Sequence, residues 1–277
     1  MIKITTDSTC DLPAELLTKY DISVTPLGVV MGDHLYQDGV NITTADIAAH
    51  VDAGGGITTT NAVNAADYET LFRELIAQYD AVIHINIGAG FSCCHQNAKL
   101  AAEEVPGVHV FSSENLSVGH GMAVLLAAEA ARGGKSVEEI LSLLENLRPR
   151  LEMSFVLDRL DYMKKGGRCS AVTALGANLL KLHPCIEVSD GSMGVVKKYR
   201  GSMEKVVTDY LRDRLEGRTD LDESRAILVD TCEDDHLAAI AREILQGRFD
   251  EVLEAKAGCT IFSHCGPRTL GVLLLRK

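Results

Sequence analysis

The sequence predicts an α/β protein: an N-terminal parallel-sheet α/β domain over residues 1–152, then an α+β domain with an antiparallel sheet over residues 153–277. Three observations predict it. Through the first half, short β-branched runs alternate with helical apolar stripes, the pattern of βαβ units on a parallel sheet. From about residue 153 the texture changes, and the run Pro184 to Tyr199 places Asp190-Gly191 between two β-rich segments, a hairpin signal. The 277 residues, 46% of them hydrophobic, suffice to bury a core in one large domain or two ordinary ones.

Candidate strands in the first half are 2–6, 22–30, 81–87 and 108–111. Asn64 is placed to cap a helix on which Tyr68, Leu71, Phe72, Leu75 and Ile76 share one face. Ser136 and Glu139 form a capping-box pair ahead of the stripe Ile140, Leu143, Leu144 and Leu147, and Pro149 ends that helix. The second half reads as a helix at 202–216, a strand at 225–230, a helix at 235–246 and strands at 250–256 and 270–275. A cleft between two such domains is the expected ligand site.

Composition excludes several functions. A net charge of -12 and a pI near 5.2 argue against nucleic acid or an anionic membrane surface as a partner, since both select clustered Lys and Arg. Met1 to Asp7 reads as a first strand and not as a signal peptide, and no run approaches the roughly 18 apolar residues of a membrane span. A cytoplasmic location is therefore expected. Eight cysteines without a CxxC pair, two of them the adjacent Cys93 and Cys94, read as reduced thiols. His95, His264 and Cys265 lie near cysteines, but zinc-ligand spacing is absent and no metal is expected.

The motifs carry more. Gly88-Ala89-Gly90-Phe91-Ser92-Cys93 approaches a dinucleotide-binding glycine pattern, yet Cys93 stands in the sixth position and the run does not follow the first strand, so a tight strand-to-helix turn explains it. Ser92 sits where a helix begins, and its hydroxyl can cap that helix or help free N–H groups hold an anion. As a hydrolase nucleophile Ser92 lacks the second glycine of GxSxG and an assignable base. Thr58-Thr59-Thr60-Asn61 reads as a polar βα-type loop whose neutral donors, with Ser92, suit a carboxylate. Lys164 to Ser170 reads as a helix stop without the Walker spacing. His264-Cys265-Gly266-Pro267 reads as a loop, from which His264 would donate to an acid headgroup and titrate near neutral pH if it reaches the cleft.

Together these pieces resemble the DegV family of bacterial fatty-acid-binding proteins over nearly the whole chain. Thr6 to Pro13 looks like the signature TDSTxDLP, and Asp158 to Ser170, ending LDYMKKGGRCS, looks like LxYLKKGGRIS. Pro26-Leu27 with Tyr36 and Asp38, Ser117 to Gly121 (an SxGxG turn), Arg200-Gly201 and His264 to Pro267 (HxGP) are similar to further family elements. The resemblance implies a parallel-sheet domain plus a smaller domain with an antiparallel sheet. It also implies an apolar tunnel for a long-chain fatty acid whose carboxylate meets Thr60 and Ser92, the positions similar to the family's TSQPS and SGTYxSA loops. His264 completes that set, with Asn61, Arg168 and Arg200 in the headgroup or phosphate vicinity. The implied role is that of a non-catalytic carrier in phospholipid metabolism, with at most transient membrane contact. It presents the acid to a separate fatty acid kinase, which makes the acyl phosphate. The sequence departs from the family pattern at Asn61 to Asn64, at Cys93-Cys94-His95, at His183 before Pro184 and at Arg268 after Pro267. Two other readings stay open: thiol-dependent acyl transfer or hydrolysis with Cys93 or Cys94 as nucleophile, and a regulatory module whose partner contact changes with ligand.

Overall fold

A computed structural model describes residues 1–174 and 182–277. The chain opens with β1 (Ile2–Asp7), a 3-10 turn at Ser8–Cys10 and α1 (Ala14–Lys19). It continues with β2 (Ser23–Thr25), β3 (Gly28–Met31), β4 (His34–Gln37), α2 (Thr44–Asp52) and β5 (Thr59–Asn61). Then come α3 (Ala65–Ile76), β6 (Ala81–Asn86), α4 (Cys94–Glu103), β7 (Val108–Ser112), α5 (Ser117–Arg132) and α6 (Val137–Leu147).

Strands β2, β1, β6 and β7, in that order, form a parallel sheet. Strand β6 is buried at every position, which is what helices on both faces of a parallel sheet demand. The predicted helix starts are present. Asn64 Oδ1 accepts from the Asp67 N–H at 2.9 Å, and Ser136 and Glu139 close their capping box at 3.2 and 2.8 Å.

The second half begins with β8 (Leu151–Val156), α7 (Asp161–Gly166) and α8 (Ser170–Thr173), followed by β9 (Leu182–Ser189) and β10 (Ser192–Arg200). It ends with α9 (Met203–Leu215), β11 (Leu221–Asp230), α10 (His236–Gln246), β12 (Glu251–Lys256), α11 (Cys259–Cys265) and β13 (Leu270–Arg276). Six strands pair in the order β10-β9-β8-β13-β11-β12, antiparallel everywhere except β11 with β12. Asp190 and Gly191 make the β9–β10 turn with φ of 48° and 69°, the left-handed pair that a two-residue hairpin uses.

Three local expectations are corrected. The strand expected at 22–30 is two strands: after Pro26, which has no N–H for a ladder, the chain leaves the parallel sheet and β3 joins a small sheet β4-β3-β5. Thr59–Asn61, expected as loop, is β5 itself, with Thr60 opposite Val29. Ser117 to Gly121, expected as a turn, opens helix α5, which had no amphipathic stripe to announce it because it is buried nearly all round. Its Gly121 lets α5 approach the first 3-10 turn: a Cβ there would lie 2.3 Å from the Cys10 carbonyl oxygen.

Candidate binding cavity

Loops from the parallel sheet, α11 and one face of the six-stranded sheet enclose a cavity of about 390 Å³, within the range of small-molecule sites. Its walls include Leu27, Phe91, Leu116, Met153, Phe155 and Met163, all apolar. The exposed lining residues Asn61, Cys93 and Arg168 mark its mouth.

Thr60 reaches the mouth from β5, Ser92 from the turn between β6 and α4, and His264 from the last turn of α11. Thr60 Oγ1 and His264 Nε2 are 2.9 Å apart. Ser92 Oγ accepts the Cys94 N–H at 3.2 Å, and its hydroxyl stands beside the Cys94 thiol. Arg168 donates from Nη1 to the Gly166 carbonyl at 2.8 Å and from Nε to the Phe91 carbonyl at 3.4 Å, so it ties two sides of the mouth together. Arg200 does not join this group: it is exposed at the end of β10 and does not line the cavity.

His264 was expected on a loop and stands on a helix. The sequence of α11, CTIFSHC, has little helix propensity, but carboxylates from the other end of the chain take up its first amides. Asp38 Oδ1 accepts from Cys259 N–H at 2.8 Å, while its Oδ2 accepts from Thr260 N–H at 3.1 Å and from Ser8 Oγ at 2.9 Å. Asp11 Oδ1 accepts from Gly258 N–H at 2.8 Å. The Asp38 carboxylate there also meets the positive end of the helix dipole. Gly166 gives the imidazole its space, since a Cβ at that position would lie 2.2 Å from His264 Nδ1.

Burial, and then the charge of Arg168, pull His264 down to about 4. It is neutral at pH 7, against the expectation that it titrates near neutrality. Asp11 moves the other way, pushed up to about 8 by burial, with Asp38 and Asp7 adding to the rise against hydrogen bonds from Ser117 and Gly258. The folded chain therefore holds a proton on Asp11 that the unfolded chain has already released at its ordinary value of 3.8. Stability from this group is full below 3.8, is lost as pH rises through about 8, and is flat above. Melting temperature should fall between pH 6.5 and pH 8, and Asp11→Asn should flatten that fall; an unchanged slope in the variant would contradict the assignment.

Nothing in the surroundings of Cys93 and Cys94 among the described residues activates a thiol. All eight cysteines are free, burial raises the Cys94 thiol, and no imidazole hydrogen-bonds the sulfur of Cys93 or Cys94 among the described residues. No cluster of three potential metal ligands occurs among the described residues, and no helix there is long and apolar enough to cross a membrane. His183 and Arg268, two of the departures from the family pattern, meet outside the cavity at one carboxylate: Asp158 Oδ1 lies 3.5 Å from His183 Nδ1, and Asp158 Oδ2 accepts from Arg268 Nε at 3.1 Å. Sequence reasoning gave no site role to Asp11, Asp38, Ser117 or Thr260, because their partners are remote in the chain and no local spacing marks them.

The comparisons with known proteins run the length of the molecule. The family model described as "Uncharacterised protein, DegV family" matches residues 1–277. A DegV domain-containing protein from Caldanaerobacter subterraneus subsp. tengcongensis is 32% identical, covering 100% of this chain and 99% of that protein. A DegV family protein from Thermus thermophilus, whose structure is described for its fatty acid binding, is 32% identical with a TM-score of 0.90, covering 100% of this chain and 99% of that one. A stearic-acid-binding protein from Eubacterium ventriosum is 25% identical with a TM-score of 0.85, at 100% and 99% coverage. Matched from its first residue to its last in sequence, and over the full chain in fold, this chain belongs to the DegV family.

Proposed function

We propose that this protein binds a long-chain fatty acid in the cavity, with the carboxylate at Thr60, Ser92 and His264, and presents it to a separate fatty acid kinase for acyl-phosphate formation. The observation that carries the reading is the meeting of two hydroxyls and a neutral imidazole, from three separate elements, at the mouth of an apolar cavity. The fatty acids bound by the Thermus and Eubacterium proteins support it. Affinity comes from the tail: at ~0.8 kcal/mol per buried methylene, about fourteen of them contribute on the order of 11 kcal/mol before ordering costs. The headgroup supplies register. With His264 protonated at Nε2 and donating to Thr60 Oγ1, the threonine proton is free for one carboxylate oxygen and the Ser92 proton for the other. Asn61 and the fixed charge of Arg168 stand beside them, and Arg168 suits the added charge of an acyl phosphate. The chain itself moves no electrons or groups in this role, and its encounters with membrane are brief.

Thr60→Val and Ser92→Ala each remove one donor and should weaken fatty-acid binding about fivefold to tenfold by calorimetric titration. Unchanged affinity in both variants would reject the headgroup assignment. For the presenting role, acid-loaded protein mixed with a bacterial fatty acid kinase and ATP should yield acyl phosphate, and free acid alone should not; equal yields would remove it.

A further inference from the structure

One side chain in the cavity wall has no use for a plain alkyl tail. Thr260, in the first turn of α11, lines the cavity and is only 4% exposed. Its Oγ1 is buried without a hydrogen-bond partner among the described residues. A helical threonine ordinarily turns its hydroxyl back to the carbonyl four residues earlier, but residue 256 ends β12 and lies outside the helix. The other buried hydroxyls of the lining are satisfied. Ser117 donates to Asp11 at 2.5 Å, Thr231 to the Gly266 carbonyl at 2.8 Å and Thr269 to the Cys265 carbonyl at 2.9 Å.

Thr260 and His264 are four residues apart, so they share the face of α11 turned to the cavity, separated by roughly 6 Å along the helix axis. A ligand anchored by its carboxylate at Thr60 and Ser92, beside His264, and lying along that face passes Thr260 a few carbons further on. An alkyl carbon at that point leaves the hydroxyl unpaired, whereas an oxygen on the ligand satisfies it. Valine has nearly the shape of threonine, so the hydroxyl is not there for packing.

We infer that the cavity favours a fatty acid bearing a hydroxyl group part-way along its chain, received by Thr260. This rests on the fatty-acid reading above and names its substrate class. The test titrates delipidated protein with stearic acid and with a positional series of monohydroxystearic acids, for the wild type, Thr260→Val and Thr260→Ser. The readout is the ratio of stearate Kd to hydroxystearate Kd. At least one positional isomer should show a ratio about fivefold higher in the wild type than in Thr260→Val, the worth of one neutral hydrogen bond, and Thr260→Ser should retain it. Equal ratios in wild type and Thr260→Val for every isomer would overturn the inference and leave the fatty-acid reading standing. Failure of the wild type to bind stearate and every isomer would overturn both.

Discussion

Replacing Asp38 by alanine should lower stability by about 3 kcal/mol or more and weaken fatty-acid binding at least tenfold. Asp38 is 4% exposed and its carboxylate accepts from three donors: the amides of Cys259 and Thr260 and the hydroxyl of Ser8. Alanine leaves all three without that partner, the two amides in buried positions and the hydroxyl in a half-buried one. Each buried unsatisfied group costs about 1–3 kcal/mol, and the helix also loses a carboxylate at its N-terminus. The binding effect follows because α11 carries His264, and a shift of that helix withdraws the imidazole from Thr60. Asp38→Asn keeps an acceptor and should recover part of the loss. Urea unfolding and calorimetry read both effects; stability within about 0.5 kcal/mol of wild type, the range of a neutral surface change, would show that the carboxylate does not hold the helix.

Gly121→Ala should cost about 3 kcal/mol, although alanine is the better helix former by about 1 kcal/mol. The added methyl would stand 2.3 Å from the Cys10 carbonyl oxygen and 3.1 Å from Leu12 Cδ2, so α5 and the turn at Ser8–Cys10 must move apart. That turn leads directly into Asp11, whose carboxylate holds Ser117 and Gly258. Loss of packing therefore travels to the cavity wall. A variant as stable as wild type in denaturant titration would mean that the close approach is readily relieved.

Local chemistry made much of the fold legible. Asn64, the pair Ser136 and Glu139, and Asp190-Gly191 announce their caps and turn because the partners lie within three residues. The amphipathic stripes of α3 and α6 were readable because each helix has one face in solvent. Helix α5 was not, since its surroundings are apolar on nearly every side and Gly119 and Gly121 resemble turn residues.

The site divides along the same line. Thr60, Asn61, Ser92, Arg168 and His264 were named from short motifs and lie on one cavity, while Arg200, named in the same way, does not. Helix α11 could not be read locally, because what stabilises it comes from Asp11 and Asp38, more than two hundred residues earlier. The hydroxyl of Thr260 is distinguished only by what surrounds it.

A crystal structure of the protein loaded with stearate decides the matter. The carboxylate oxygens should lie within hydrogen-bonding reach, about 2.6–3.2 Å, of Thr60 Oγ1 and Ser92 Oγ, with the tail running past Met153 and Phe155. A carboxylate seated elsewhere, or a lipid-soaked crystal in which this cavity holds no acyl chain, would contradict the account.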